Sequence, residues 1–387
     1  MHKSEHRLLT THAGSLPRPA SLTRLYARRS RGEAVSAAAL AAEGRAALRR
    51  VVAQQIDAGI DVANNGEQQR ESFVLYVRDR LSGLGGSWQR RQRADVERYP
   101  AFKQKAFGAG GKEAVDDIRD LTGAQGEVRY LDASAIVAEC TDFKEMLEES
   151  EAPFCETFLT APSPGMVSAI VLNEYYPTEE AFLGVLAEAL RVEYETIIAN
   201  GFLLQLDCPD LARERHNSYQ DRPLADFLAF GNRVIDAINH ALRNVPRERV
   251  RMHVCWGNYE GPHDCDVPLE DIIPVLARAE VGGFVLPFAN PRHEHEFRCA
   301  PQLLASAEQI IVAGVIDTTS NFVEHPEVVA DRLQRLAQVV GDPRRIIAGT
   351  DCGFETIAGR GRVAEDVVWA KLKASSDGAG LASSRLF

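Results

Sequence analysis

The stretch PTEEAFLGVLAEALRVEYETIIANGFLLQLDCPD, residues 177–210, contains one helix–strand unit and indicates the architecture of the chain. It begins with Pro-Thr-Glu-Glu, a helix start signal, and its helical segment closes with Asn-Gly. An apolar run then follows and ends in Asp-Cys-Pro-Asp. This pattern predicts a helix that covers a buried parallel strand with polar residues at the carboxyl end of the strand.

The same unit recurs along the whole chain. Helical segments, among them residues 34–58 and 222–245, alternate with eight apolar runs that end in polar residues. The runs are LLTTHAGS, GIDVANNGE, APFCETFLTAPS, FLLQLDCPD, VRMHVCWGN, GGFVLPFAN, IIVAGVIDTTS and RIIAGTDCG. Eight units favour a (β/α)8 barrel over an open doubly wound sheet, and no Gly-x-Gly-x-x-Gly follows an early strand. We therefore predict an α/β chain that forms one (β/α)8 TIM barrel domain, residues 1–387.

Residues 80–130 interrupt this alternation. They are rich in Arg, Gln, Gly and Asp, as in RLSGLGGSWQRRQRADVERYP. We predict that they form an insertion or lid within the barrel domain, between the second and third barrel strands.

The bulk composition excludes several classes of protein. The 387 residues are 45% apolar, which is enough for a large core, and the net charge of −11 disfavours binding to nucleic acid. The opening MHKSEHRLLT lacks the apolar run of a secretory signal, and no stretch approaches the roughly 20 apolar residues of a membrane span. Seven scattered cysteines do not suggest a disulfide framework. We expect a cytoplasmic protein that binds neither nucleic acid nor membrane.

A candidate metal site lies in MHVCWGNYEGPH, residues 252–263. His253 and Cys255 are two residues apart on a predicted strand, so both side chains can face the barrel mouth, where barrel enzymes carry their chemistry. Cys352 ends the last predicted strand and can reach the same mouth. One imidazole and two thiolates form a zinc ligand set with an open position. The spacing alone also allows three ordinary buried residues, because cysteine is among the most often buried residue types.

Other predicted strand ends also carry polar side chains. They include His12, Ser15, Asn64, Asn65, Glu67, Asp207, Asn290, Asp317 and Asp351. In PRHEHEF, residues 291–297, His293 and His295 suggest either a second metal site or a hydrogen-bonded loop, and the loop is the favoured interpretation.

Seven motifs carry a resemblance to a known family. In order, and across nearly the whole chain, they are TTHAGSLPRP, NNGEQ, LQLDCPDLA, HVCWGNYEGPH, FANPRHEHE, GVIDTTSNFVEHPE and AGTDCGF. Together they resemble the cobalamin-independent methionine synthase superfamily, and in particular its short, single-barrel members. The same superfamily includes the zinc-dependent epoxyalkane:coenzyme M transferases.

The resemblance implies a ligand set and a substrate class. His253, Cys255 and Cys352 match the family's zinc ligands, and a thiol substrate would bind that zinc as a thiolate. Ser15 matches a position that holds the amino-acid end of homocysteine, as do Glu67 and Asp207. The implied partners are a small-molecule thiol and an alkyl donor, and a homo-oligomer is compatible with the family.

Three departures from the family pattern concern the donor and the zinc site. Pro287 stands where the family supplies a glutamate as fourth zinc ligand, so water or Glu296 would have to complete the site. Thr319 replaces the histidine that protonates the departing folate. The segment MVSAIVLNEYY lacks the tryptophan on which the pterin stacks. We therefore expect an alkyl donor other than methyltetrahydrofolate.

The leading hypothesis is a zinc-dependent S-alkyltransferase that transfers a methyl or other alkyl group to a thiol such as homocysteine. We name Asp317, His12 and Tyr175 as candidate catalytic residues and Arg18 as a further substrate-binding residue. The first alternative is opening of an epoxide by the thiolate of coenzyme M, with His12 or Tyr175 as the acid and Arg18 or Arg292 as sulfonate ligands. A zinc-poor ligand-binding or lyase barrel and a zinc hydrolase are further alternatives.

Overall fold

The structure is a computed structural model that describes residues 1–107 and 121–387. The strands of this part are β1 (Leu9–Thr10), β2 (Val62–Asn64), β3 (Leu84–Trp88), β4 (Leu121–Ala124), β5 (Glu156–Pro162), β6 (Leu172–Asn173), β7 (Leu203–Asp207), β8 (Val250–His253), β9 (Gly283–Pro287), β10 (Ile310–Ile316) and β11 (Ile346–Thr350). The helices are α1 (Ala20–Ser30), α2 (Ala37–Asp57), α3 (Ala94–Arg98), α4 (Pro100–Phe107), α5 (Ser134–Glu149), α6 (Pro164–Ile170), α7 (Glu179–Ala199), α8 (Asp210–Arg213), α9 (Leu224–Ala241), α10 (Leu269–Leu276), α11 (Pro326–Val340) and α12 (Glu365–Leu386). Short 3-10 helices lie at Leu75–Asp79, Glu214–His216, Arg247–Arg249, Glu294–Leu303 and Pro343–Arg345.

Eight strands form one parallel sheet that is nearly closed into a barrel. Their order is β1-β11-β10-β9-β8-β7-β5-β2. The remaining seam between β1 and β2 is bridged by the Asp61 N–H, which donates to Thr10 O at 3.1 Å, and by Thr11 Oγ1, which donates to Val62 O at 2.7 Å. The predicted (β/α)8 barrel is thus confirmed, and the strands match the eight apolar runs of the sequence.

Local sequence signals account for the covering helices. Thr178 caps α7, since its hydroxyl accepts the Ala181 N–H at 3.1 Å, and Gly341 ends α11 in the left-handed conformation with φ 79°. The inner face of α7 buries Phe182 and Leu186 against the sheet. No helix among the described residues has the length and apolar character required to span a membrane.

The segment between β2 and β5 contains the predicted insertion. Here β3 pairs antiparallel with β4, and β4 pairs with β6, which follows the third barrel strand. Of the predicted insertion, residues 80–130, the part from 108 to 120 lies outside the described residues. The assignment of the whole chain to one domain stays a prediction.

A buried ionic network joins the start of this segment to the barrel helices. Arg70 donates to Glu139 of α5 at 2.8 Å, and Arg80 donates to Glu193 of α7 at 2.9 Å and pairs with Glu139 as well. Two tyrosine hydroxyls also donate to Glu193, from Tyr76 at 2.6 Å and from Tyr130 at 2.7 Å. Burial opposes ionisation of Glu193, but Arg80 and Arg70 outweigh it and lower the Glu193 pKa. All four charges are therefore compensated although they are withdrawn from water.

We predict that Glu193→Gln destabilises the protein by about 3 kcal/mol, because removing one member of a buried ion network leaves the arginine charges uncompensated. Urea unfolding measures the change. The matched control is Glu195→Gln, two residues along α7, whose partly exposed pair with Arg191 contributes less than about 1 kcal/mol. Equal losses in the two variants would contradict a special role for the network.

Candidate active site

A cavity of about 300 Å³ opens at the carboxyl ends of the barrel strands. Six of the residues predicted from the sequence line it together, namely Ser15, Glu67, Asp207, His253, Cys255 and Cys352. They come from five different strand ends, which meet at the barrel mouth because the strands are parallel.

Three of these residues form a candidate metal centre. His253 ends β8, Cys255 lies two residues beyond it, and Cys352 follows β11 on the other side of the mouth. One ligand atom from each lies within 4.8 Å of the others, and the two Sγ atoms are 3.9 Å apart. The arrangement is therefore able to hold a metal ion.

The orientation of the His253 ring fits a metal ligand. Its Nδ1 lies 3.3 Å from the Val285 carbonyl oxygen, to which it can donate, and its Nε2 is buried without a hydrogen-bond partner among the described residues. Metal-binding histidines commonly donate one ring N–H to a carbonyl and present the other nitrogen to the metal. One ring nitrogen of His253 lies in the same group of ligand atoms as the two sulfurs.

The electrostatics of the trio favour a thiolate. Hydrogen bonding from Cys352 and then the charge of His253 lower the pKa of Cys255 well below its ordinary value. Burial opposes protonation of His253, but the Cys255 thiolate outweighs it and raises the His253 pKa to about 9. One of the two sulfurs is thus favoured as a thiolate, whereas the hydrogen bond with Cys255 and burial raise the pKa of Cys352 well above its ordinary value.

Glu67 lies in a turn with an unusual backbone conformation, and its side chain lines the cavity. Gly66 and Glu67 have φ values of 63° and 56°, and the second is unusual for a residue with a side chain. Two asparagines stabilise the turn, since Asn64 Oδ1 accepts the Gly66 N–H at 2.7 Å and Asn65 Oδ1 accepts the Glu67 N–H at 3.0 Å. The motif NNGE therefore acts as one unit that points a carboxylate into the barrel mouth.

The Glu67 carboxylate has one partner and one free oxygen. Oε1 accepts from Thr160 at 2.9 Å, whereas Oε2 is buried without a hydrogen-bond partner among the described residues, as is Ser15 Oγ. Burial raises the pKa of Glu67 and raises that of Asp207 to about 7, where the charge of Glu67 adds to the effect. These groups are arranged as acceptors for a cationic or hydrogen-bond-donating ligand.

Asp351 holds the two sides of the metal centre in register. Its carboxylate accepts three successive backbone N–H groups, from Phe288 at 3.0 Å, Ala289 at 2.9 Å and Asn290 at 2.6 Å. Gly314 leaves the space for it, because a Cβ there would lie 2.5 Å from Asp351 Oδ1. The clamp ties the loop after β9 to the residue that precedes Cys352.

Four predicted site residues lie outside the cavity lining, namely Arg18, His12, Tyr175 and Asp317. Arg18 is fully buried and donates to the carbonyls of Arg70 at 2.9 Å, Glu355 at 2.7 Å and Glu67 at 3.0 Å, so it positions the Glu67 turn and does not reach a ligand. His12 is buried next to Gln55 at 2.9 Å and accepts the Gly14 N–H at 3.3 Å.

Tyr175 is 56% exposed and packs edge-on against Tyr176. The geometry therefore brings neither His12 nor Tyr175 to the metal centre.

The family departures lie close to the centre. Pro287 and Thr319 line a small cleft together with Cys255, Cys352 and Asp317. Asp317 is bound within its own loop, where it accepts from the Thr319 hydroxyl at 2.8 Å.

Glu296 is committed elsewhere. Its carboxylate accepts the Leu269 N–H at 2.8 Å and lies 2.8 Å from His293 Nδ1, so it is not available as a fourth ligand beside Cys255.

The favoured interpretation of PRHEHEF, a hydrogen-bonded loop, agrees with the contacts of His293. Its ring lies 2.8 Å from both Asp266 and Glu296 and stacks on Trp256, with ring centroids 3.9 Å apart. His263 also lies 2.7 Å from Asp266, and His263, Asp266 and His293 together could hold a metal ion.

The sequence interpretation missed four charged residues of the cavity, Arg93, Arg213, Arg360 and Arg362. Arg213 lies only six residues beyond Asp207, in the motif LDCPDLAR, which is a usable signal for proximity to the mouth. Arg93 belongs to the insertion, and no motif or spacing marks it.

Comparisons with known proteins give a consistent picture. No family model matches the sequence. The chain is 25% identical over 352 residues to the methionine synthase of Sulfolobus acidocaldarius, with 90% of this chain and 86% of the relative covered. It is 26% identical over 351 residues to that of Pyrococcus furiosus, with 90% and 87% covered. A B12-independent methionine synthase structure from Shewanella sp. W3-18-1, in complex with selenomethionine, superposes with a TM-score of 0.72 at 20% identity, covering 98% of this chain and 99% of that one. The barrel architecture is thus shared along the full described length.

We predict that His12 is a structural, neutral histidine whose effect appears in stability against pH. Burial, reinforced by the charge of Arg251, lowers the His12 pKa to about 4, whereas an unfolded chain has about 6.5. Between these values the unfolded state binds a proton that the folded state does not, so this contribution makes the free energy of unfolding fall as pH falls. The free energy of unfolding of His12→Gln is therefore expected to fall less steeply with falling pH than that of the wild type. The difference in slope approaches about 1.4 kcal/mol per pH unit, and urea unfolding between pH 7 and 5 measures it. A matching change in the exposed control His6→Gln would assign the slope to something other than His12.

Proposed function

Because the chain belongs to the cobalamin-independent methionine synthase superfamily, we propose that it is a zinc-dependent S-alkyltransferase, which transfers a methyl or other alkyl group to a thiol such as homocysteine. The observation that carries the proposal is the convergence of a His253 ring nitrogen with the sulfurs of Cys255 and Cys352 in one cavity. The relatives named methionine synthase support the reaction class.

The three side chains would hold the zinc, and the zinc would lower the pKa of a substrate thiol at the open position so that it is nucleophilic near neutral pH. The donor set fits, since a buried imidazole nitrogen without a partner and a sulfur of lowered pKa are both presented to one point. In the reaction, a bond forms between sulfur and the alkyl carbon while the bond from that carbon to its leaving group breaks. The leaving group departs with the electron pair.

The remaining polar wall would orient an amino-acid thiol. Ser15 Oγ and Glu67 Oε2 are unpartnered acceptors, and Asp207 lies beside them in the cavity lining. An ammonium group would supply the donors that these oxygens lack and would relieve the repulsion between the two carboxylates. The sulfur end would then lie toward Cys255 and Cys352.

The family departures favour a donor other than methyltetrahydrofolate. The Thr319 hydroxyl donates a hydrogen bond to Asp317, and a threonine has no titratable group that could protonate a departing folate nitrogen. The segment before α7 lacks the tryptophan that stacks on a pterin. For the epoxide alternative, the acids considered from the sequence, His12 and Tyr175, do not line the cavity, so methyl or simple alkyl transfer is the better-supported reading.

We predict about one zinc per chain in the purified protein by elemental analysis and loss of that zinc in Cys352→Ser, which removes one of three ligands. Cys299→Ser, at a partly exposed cysteine outside the ligand group, serves as the control and keeps its zinc. The wild-type protein is then assayed for loss of the homocysteine thiol with methyl donors and with epoxides, which separates the two substrate classes. Absence of zinc uptake by the wild-type protein would contradict the zinc-dependent mechanism.

We further predict that Asp207→Asn weakens homocysteine binding to the zinc-loaded protein about tenfold or more, because it removes a charged partner of the ammonium group. Calorimetry gives the dissociation constants, and zinc content is measured in the same samples. Binding of 2-mercaptoethanol, which has no ammonium group, is expected to change little. An equal loss for both thiols would show that Asp207 acts on the metal centre and not on the amino group.

A further inference from the structure

Two arginines in the cavity lining lack the partners that buried charges ordinarily have. Arg93, from the insertion, and Arg213, at the end of α8, line the same cavity as Cys255. The Nε atom of each is buried without a hydrogen-bond partner. Neither guanidinium forms a hydrogen bond or an ion pair with any residue in the ranges 1–107 and 121–387.

Elsewhere the described chain compensates its buried arginines. Arg70 and Arg80 share Glu139 and Glu193, and Arg18 is paired with Glu355. Arg251 has no carboxylate partner, but it donates to three acceptors and stacks on a phenylalanine ring.

A third arginine near the cavity pair, Arg90, is compensated in part, because its Nε and Nη1 atoms are buried without a hydrogen-bond partner in the described chain. Arg90 is paired with Glu214, so that carboxylate is already occupied. Arg93 and Arg213 differ from these five arginines, because neither guanidinium has an ion pair or a hydrogen bond among the described residues.

The uncompensated charge is costly in the absence of a ligand. Burial, followed by the positive charge of Arg93, lowers the pKa of Arg213 to about 10, and burial likewise lowers the pKa of Arg93. Arginine side chains keep their charge in proteins, so two like charges face one cavity, and neither is paired with the Glu67 or Asp207 carboxylate of the same lining or with another described residue. A bound anion would remove this cost, and such destabilised arrangements are typical of ligand sites.

The pair is held in place close to the reacting centre. The Arg93 guanidinium lies 3.7 Å from the ring centroid of Tyr259, whose hydroxyl is bound to Asp95. The Arg213 side chain passes Gly257, where a Cβ would lie 3.5 Å from Arg213 Cδ, and Gly257 is two residues beyond Cys255. Both arginines thus flank the segment that leads away from a candidate metal ligand.

We propose that Arg93 and Arg213 bind an oxyanion carried by the alkyl donor. The shared chemistry is that of a carboxylate, sulfonate or phosphonate, which presents planar or tripodal oxygens to two guanidinium forks. Glu67 and Asp207 would take the ammonium group of the thiol. The carboxylate of an amino-acid thiol is the competing occupant of the arginines, and a competition test separates it from an oxyanion of the second substrate. The assignment to the donor rests on the proposed function, whereas oxyanion binding itself does not.

The test is calorimetric titration of the full chain with methylphosphonate and with methanesulfonate, in the presence and absence of saturating homocysteine. We expect saturable binding that weakens about tenfold or more in Arg213→Gln and in Arg93→Gln, and less in Arg213→Lys, which keeps the charge. The matched control is Arg91→Gln, two residues from Arg93 on the surface, and it is expected to bind as the wild type does.

Homocysteine is expected to leave the anion affinity unchanged, because the two ligands occupy different ends of the cavity. Mutual exclusion would assign the arginines to the carboxylate of the thiol and overturn the donor assignment. Absence of anion binding in the wild type, or equal binding in all variants, would overturn the site altogether. Anion binding by a protein that takes up no zinc would reject the proposed function but keep the oxyanion site.

The stability of Arg213→Gln provides a second test, which separates a ligand-binding role of Arg213 from a purely structural one. Because Arg213→Gln removes an uncompensated buried charge, its urea midpoint is expected to equal or exceed that of the wild type. A clear loss of stability would show that Arg213 has a partner within the fold, and it would contradict the proposal.

Discussion

The geometry of the candidate metal centre depends on the carboxylate of Asp351. Two strands, β8 and β11, supply the sulfur ligands, and β9 and β10 lie between them in the sheet. The three backbone N–H groups that Asp351 accepts directly follow β9, and the first of them, from Phe288, is shared with the Gly314 carbonyl at 2.8 Å. By satisfying them, the carboxylate joins the loop after β9 to the residue before Cys352, and so it sets where the second thiol lies relative to the first.

Among the described residues, the cavity lining contains buried acceptors without donors and buried donors without acceptors. On one side Glu67 and Ser15 present acceptors without donors, and elsewhere in the lining Arg93 and Arg213 present donors without acceptors. The two sets do not pair with each other, although opposite charges in one cavity would gain from doing so. A fold that keeps such groups apart and unpaired is suited to ligands with a cationic part and an anionic part, and two substrates of an alkyl transfer meet that description.

The insertion contributes to both stability and the site. Arg80 at its start is tied into the network around Glu193, and Tyr130 at its end donates to the same carboxylate. Between these anchors the segment carries Arg93 into the cavity lining. Pro287 lines the cleft beside Cys255 and Cys352, and Glu296 offers no further ligand there, because its carboxylate is bound to Leu269 and His293.

Strand and helix periodicity in the sequence determined the barrel, because alternation of apolar runs with helical segments has few solutions other than a closed parallel sheet. The same periodicity placed His253 and Cys255 on one face, and the polar end of the run GIDVANNGE marked Glu67 as a strand-end residue. Only the tertiary structure decided which buried charges have partners. Arg18 was expected in the site and proved to be bound by Glu355, 337 positions away in the chain, whereas Arg93 was not expected and is unpaired. Residue type and spacing report which groups are available, but pairing depends on distances between segments remote in sequence, and these exist only once the chain has folded.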